Sequence, residues 1–161
     1  MKASIVNLVA LDPQPLLADV APRIGPMLGA RKLGYSLIVL TPGKRAFPFH
    51  HHHHRVNEEM FFIVEGEGEM RIGHETHAIR AGDVIACPPG GIETTHQIVN
   101  TSAHDLRYLA ISTQASPEVV EYPDTERHAV IVADEAVSAT SVKGFRAVFR
   151  LEDSLGYWDG E

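Results

Sequence analysis

Cysteine is nearly missing: Cys87 is the single one in 161 residues. One thiol excludes an internal disulfide framework and a thiolate-rich zinc or iron–sulfur centre, and makes the reducing cytoplasm the expected compartment. No apolar run approaches the roughly 20 residues that span a bilayer. The opening stretch MKASIVNLVALDPQPLL is broken by Asn7, Asp12 and two prolines, so it reads poorly as a secretory signal. Positive charge is short too: 14 Lys and Arg against 21 Asp and Glu leave a net charge of −7. Phosphate backbones need a basic face, so neither nucleic acid nor membrane is expected as a partner. The acidic residues are dispersed, as on a solvated surface. Internal repeats and flexible linkers are also lacking. Hydrophobic residues at 44% and charged residues at 22% are ordinary for a globular chain, and the length suits one domain with a real core.

Residues 1–34 carry Pro13, Pro15, Pro22, Pro26, Gly25, Gly29 and Gly34, which break any long helix. They read as an extended arm packed on the body, with a turn of helix near Leu16–Val20. From Tyr35 the texture changes to short apolar runs: YSLIVL, EMFFIVEG, EMRIG, THAIRAGD, DVIACPP, HQIVN and LRYLAIS. Gly, Pro, Asn and Asp separate them at intervals that suggest a β-sandwich or barrel, and no 3.6-residue period persists through them. Glu65-Gly66-Glu67-Gly68-Glu69 and Gly73-His74 read as hairpin connections. Beyond Ser112 the pattern weakens, with strands expected at HAVIVA (128–133) and Phe145–Leu151 and a helical turn or loop at DEAVSAT. Trp158, the only tryptophan, reads as an aromatic anchor packing the C-terminal tail onto the barrel. The expected organisation is an arm (1–34), a barrel (35–112) and a C-terminal extension (113–161) that completes or covers it.

What the chain has in excess is histidine: ten residues, five of them contiguous at His50–His54. The run lies inside the chain between two apparent strands, which argues against a cloning tag. In an extended strand, His50, His52 and His54 share one face, and His51 and His53 the other. Two residues span about 6.6 Å of strand, so alternate imidazoles can converge on one ion through bonds of about 2.1 Å. Neutral imidazole suits zinc, iron, copper and nickel, and Glu58 or Glu59 can add an oxygen. His96 is the evident distant candidate for a further ligand. Strand parity raises a conflict. Phe47 and Phe49 would share a face with His51 and His53, so apolar-inward alternation points the odd histidines into the barrel, while the spacing to Glu59 favours the even ones. A disruption at Pro48 would shift the parity. Protonation of the ligands makes acid weaken any metal binding.

The stretch from Pro48 to Asn100 resembles a cupin domain. The first cupin motif, Gly-x5-His-x-His-x(3 or 4)-Glu-x6-Gly, is matched at its core by His52-x-His54, RVNE, Glu59, MFFIVE and Gly66. The second, Gly-x5-Pro-x-Gly-x2-His-x3-Asn, is matched by Gly82, DVIAC, Pro88-Pro89-Gly90, His96, QIV and Asn100. There are two departures: five residues, not two, separate Gly90 from His96, and Gly43 lies nine positions before His52, not six. The resemblance implies an all-β, double-stranded β-helix (jelly-roll) barrel, with His52, His54, Glu59 and His96 holding one divalent ion: Zn, Fe, Mn or Ni. It assigns Gly66 to a tight turn, Gly82-Asp83 to the start of a strand, Pro88-Pro89-Gly90 to the loop delivering His96, and Asn100 to a strand end. With His52 and His54 turned inward, His50 is expected at the mouth, positioned for proton transfer or without a role.

Three nitrogens and a carboxylate leave up to two positions open on a six-coordinate ion, enough for water, dioxygen or a chelating substrate. The resemblance therefore implies an enzyme acting on a small oxygen-rich metabolite, carbohydrate-like or carboxylated, such as a sugar phosphate isomerase. The alternatives are an iron-dependent dioxygenase and a non-catalytic sensing module. Lys44, Arg45, Arg55, Arg71, Arg80 and Arg107 near the motifs suit an anionic small-molecule ligand, while Glu58 joins His50 as a proton-transfer candidate. Open jelly-roll edges need cover, and the resemblance makes a homodimer the expected assembly.

Overall fold

Alternation of apolar and polar side chains every second residue builds two facing layers of strand. The structure, a computed structural model, describes residues 5–8, 24–53, 57–135 and 143–160. Its strands are β1 (Leu33–Leu40), β2 (His51–His52), β3 (Glu59–Glu65), β4 (Glu67–Ile72), β5 (Glu75–Arg80), β6 (Val84–Cys87), β7 (His96–Val99), β8 (Leu106–Thr113), β9 (Glu118–Tyr122), β10 (Arg127–Glu135) and β11 (Lys143–Phe149). The only α-helix among the described residues is the single turn α1 (Ile24–Met27), and no described helix is long and apolar enough to cross a membrane.

One layer is an antiparallel sheet in the order β1-β8-β3-β6. The other contains β5-β4-β7 and β11-β10-β9-β2. These two sheets meet along residues 45–52: Arg45 faces Val99, His50 faces His96, and Ala46 N donates to Ile98 O at 3.1 Å. The histidine run is therefore held between β7 on one side and β9 on the other. The core lies between the layers and includes Ile38, Leu40, Phe61, Ile63, Met70, Ile79, Ile98, Leu106 and Tyr108. In β3 the period of two is plain, with Phe61 and Ile63 buried and Met60 and Phe62 exposed. The fold is a double-stranded β-helix.

Each of the apolar runs from YSLIVL to LRYLAIS, with HAVIVA and the segment at Phe145, lies in a strand. Strands β2 and β9 carry no such run. The turn near Leu16–Val20 and most of DEAVSAT lie outside the described residues. Gly73-His74 does close a hairpin, with Ile72 opposite Glu75. Gly82 adopts φ +95°, and the Asp83 carboxylate accepts the Arg80 N–H at 2.8 Å before β6 begins.

Two expectations are corrected. Gly66 is not a hairpin connection, because β3 pairs with β8 and β6 while β4 pairs with β5 and β7. The chain instead crosses from one layer to the other there. Gly66 has φ +85°, and a Cβ on it would stand 2.4 Å from Asp105 O. Trp158 does not anchor the tail: it is 76% exposed and packs edge-on against Tyr157, itself 89% exposed. The segment from Gly156 closes a local turn, in which Asp159 N donates to Gly156 O, and that turn holds the rings away from the barrel.

Gly66→Ala is expected to destabilise the fold by about 3 kcal/mol, from left-handed strain and the clash at Asp105. Urea unfolding measures this, and an unchanged midpoint would show that the crossover tolerates a side chain.

Candidate metal centre

Pro48 decides which histidines face inward. The backbone bends at Phe47 and Phe49 on either side of it. Phe47 packs against the core, whereas Phe49 is buried beneath the Arg71 guanidinium, 3.4 Å above its ring. Phe49 thus finds cover on the outer face. The parity conflict resolves in favour of the even histidines: His50 and His52 point inward, toward Glu59 on β3 and His96 on β7.

The ligand atoms of His50, His52, Glu59 and His96 lie within 4.8 Å of one another. The Nε2 atoms of His50, His52 and His96 stand 3.5, 3.2 and 2.8 Å from one oxygen, Oε2 of Glu59. Each ring is pinned at its other nitrogen. His50 Nδ1–H donates to Pro48 O at 2.8 Å, His96 Nδ1–H to Thr94 O at 3.0 Å, and His52 Nδ1–H to the Glu118 carboxylate. Two of these partners are carbonyls and one is a carboxylate, so all three only accept, and the proton must sit on Nδ1. Nε2 then meets Glu59 either as the N–H of an imidazolium or as a lone pair turned toward a cation. The loops that deliver these groups are tied in turn. Asn57 accepts from Ala115 N at 2.7 Å and donates to Ala115 O at 3.2 Å, fixing the approach to Glu59. Gly73 N donates to Thr95 O at 2.8 Å, fixing the approach to His96.

The electrostatics show how strongly this cluster demands positive charge. Burial disfavours ionised Glu59, yet hydrogen bonding with His50, His52 and His96 outweighs it and holds the carboxyl well below 4.5. Burial likewise opposes the charged forms of His52 and His96. Bonding of His52 to Glu118 and Glu59, and of His96 to Cys87 and Glu59, raises both to about 10. Tyr108 is pushed well above 10 by burial and then by the Glu59 charge, so its phenol keeps its proton.

The donor set fits a divalent ion. Donors at ~2.1 Å from a common ion lie about 3.0 Å apart when cis in an octahedron and about 3.4 Å apart in a tetrahedron. The observed Nε2–Oε2 separations bracket both values. Nε2 of His52 is buried and has only the Glu59 carboxylate, 3.2 Å away, in front of it.

Of the residues anticipated from the motifs, His52, Glu59 and His96 come together here, while His54 lies outside the described residues. The third nitrogen in the cluster belongs to His50. The signal for it was in the spacing, since six residues separate Gly43 from His50 against eight for His52, closer to the motif's five. Glu118 was missed, because nothing local in EVVEY marks one glutamate as the partner of a histidine 66 positions away. Glu58 is exposed. Asn100 is fully buried at the end of β7, where its amide donates to Leu40 O and His104 O, as a strand-end residue should. The cations suggested for an anionic ligand are in part committed elsewhere: Arg71 pairs with Asp124 at 2.7 Å and Arg107 with Glu65 at 3.3 Å. Arg55 lies outside the described residues.

Fold and site together define a double-stranded β-helix protein with one internal histidine–carboxylate cluster. Residues 36–112 match the family model Cupin_2, a cupin domain. Two solved structures cover nearly all of the chain. One, from Acidithiobacillus ferrooxidans and provisionally named a sugar phosphate isomerase, is 20% identical with a TM-score of 0.77 over 96% of each chain. The other, a protein from Silicibacter pomeroyi called a sugar phosphate isomerase from a cupin superfamily, is 20% identical with a TM-score of 0.74 over 96% of this chain and 98% of that one. At that identity the likeness shows the fold. An uncharacterized protein of Methanocaldococcus jannaschii, MJ1618, is 36% identical over 56 residues, which span 35% of this chain and 42% of that protein.

A divalent ion needs Nε2 of His52 and His96 deprotonated, so its uptake is expected to release protons. Both folded pKa values are raised to about 10 from 6.5, so the ion-pair stabilisation is complete below 6.5 and is lost as pH rises through about 10. Metal affinity should climb across that same window as the competing protons leave. Calorimetry at pH 8 in buffers of different ionisation enthalpy should count about two protons released, falling to about one in Glu118→Gln. Uptake without proton release would contradict this account.

Proposed function

We propose that the chain is a metal-dependent cupin enzyme that isomerises a small polyhydroxylated carbonyl compound, of which sugar phosphates are one class. The observation that carries the reading is the convergence of three pinned imidazoles on a single carboxylate oxygen. His50, His52, Glu59 and His96 are the proposed holders of one divalent ion. When bound, such an ion supplies an electrophile for adjacent substrate oxygens and, among Zn, Fe, Mn and Ni, need not be redox-active for isomerisation. The rest falls to the chain's own groups. Glu118 keeps the proton on His52 Nδ1 and so aims Nε2 inward. Glu59 stays ionised. Phe61, whose ring centroid is 5.7 Å from that of His96, and Tyr108, which keeps its phenolic proton, form an apolar wall that limits water on that side. His50 has the longest of the three separations from Glu59, and it is the group best placed to exchange a place near the ion for a proton-carrying role.

The likeness to two chains named as sugar phosphate isomerases supports isomerase over dioxygenase, and three nitrogens with one carboxylate accommodate either. An aldose–ketose assay with protein loaded in turn with zinc, manganese, nickel and iron is expected to show turnover, reduced at least about 100-fold by Glu59→Gln or His96→Ala. His74→Ala, in the exposed β4–β5 turn, is expected to leave it unchanged. Oxygen uptake with iron alone would replace this reading by the dioxygenase, and a tight ligand without turnover would replace it by a sensor.

We also propose that a second copy of the chain covers the β11 edge. Phe145, Val148, Leu151, Leu155 and the Tyr157–Trp158 pair are exposed along that strand and the tail, beside an edge with no partner strand among the described residues. Sedimentation is expected to give twice 17.7 kDa, reverting to monomer in Phe145→Glu/Trp158→Glu.

A further inference from the structure

The odd-numbered histidines form a second cluster on the other side of the same strand. His51 on β2 stands directly opposite Glu121 on β9, which stands directly opposite His128 on β10. His51 Nε2 and His53 Nδ1 each lie 3.3 Å from the same atom, Oε2 of Glu121, and His128 Nε2 lies 3.7 Å from it. The ligand atoms of His51, His53 and Glu121 fall within 4.8 Å of one another. The His51–His53 ring centroids are 5.8 Å apart.

The chemistry at His51 calls for a cation. Its side chain is 3% exposed, and its Nδ1 lies 2.9 Å from Thr95 Oγ1. The Thr95 hydroxyl donates to Gly91 O at 3.4 Å, which leaves its oxygen to accept from His51 Nδ1–H. Nε2 of His51 is then a buried lone pair with no hydrogen-bond partner, facing a carboxylate oxygen that is also an acceptor. Two acceptors pressed together in a buried site repel unless positive charge lies between them. Both nitrogen–oxygen separations equal the edge of a tetrahedron with bonds of ~2.0 Å, about 3.3 Å. Thr95 does for His51 what Glu118 does for His52: it fixes the tautomer and aims the ring.

We propose that His51, His53 and Glu121 form a second divalent-cation site of zinc type, on the outer face of the sheet and separate from the inner cluster. Two neutral imidazoles and one carboxylate satisfy three corners of a tetrahedron, and water or His128 the fourth. His128 is held in reach by stacking on Phe149, with ring centroids 6.1 Å apart. The ion clips the histidine segment to β9, the strand that also supplies Glu118 to the inner cluster, and so acts as a brace for the site behind it.

The test is zinc titration against a chromophoric chelator, using protein purified without an affinity tag or metal resin. Thermal unfolding of the same samples is the second readout. One zinc equivalent is expected to be lost in His53→Ala and again in Glu121→Gln, with the zinc-dependent rise in unfolding temperature reduced in both. That equivalent is expected to survive in Glu59→Gln and His96→Ala, which remove only the inner one. The reverse pattern, in which inner-site variants lose zinc and outer ones lose none, overturns this site and leaves the inner proposal standing. Several weak equivalents insensitive to any single substitution overturn it as well, by showing a histidine-rich surface that binds zinc without a defined geometry.

Discussion

A carboxylate largely withdrawn from water between two sheets is tolerated best where positive charge meets it, and Glu59, with its side chain 18% exposed, is that carboxylate. Three imidazoles supply the answer from two strand segments that are neighbours only in the folded chain. Each ring spends one nitrogen on a fixed acceptor and turns the other toward Glu59. The rings are oriented before anything binds, so little reorganisation accompanies occupation of the centre. The same arrangement makes the cluster a proton store when no other cation is present, so a metal ion entering it would compete with protons.

The rise of a strand separates two chemistries along one short segment. Residues at His50 and His52 serve the interior, and residues at His51 and His53 meet Glu121 outside. Strand β9 supports both, with Glu118 directed inward and Glu121 outward. A change that slipped its register by one residue would exchange the two roles and disable both clusters together.

A shared double-stranded β-helix does not carry an activity with it. Near-complete overlap with two structures at 20% identity places the chain in an architecture. The chemistry has to be argued from the donor atoms, their tautomers and the wall around them. Those features are a histidine–carboxylate cluster with Phe61 and Tyr108 packed beside it. Among the described residues no lysine or arginine is buried, so charge on a substrate would be met by the ion and the imidazoles themselves or by cations at the mouth.

The residues alone determined a good deal. Short alternating runs bounded by Gly and Pro required a β-barrel, and paired histidines spaced from Glu59 and His96 named three members of the inner cluster. These features are local: a period of two and a motif with its own internal spacing are written in consecutive positions. Other matters depended on the third dimension. Whether Gly66 closes a hairpin or crosses between layers turns on which strands pair, and pairing involves partners dozens of residues away. Which parity of the histidine run faces inward turned on the bend at Pro48 and on Arg71 covering Phe49. Glu118 and Glu121 gained their meaning only when β9 was laid beside β2, because a carboxylate's role is set by what lies across from it, and sequence order does not carry that distance.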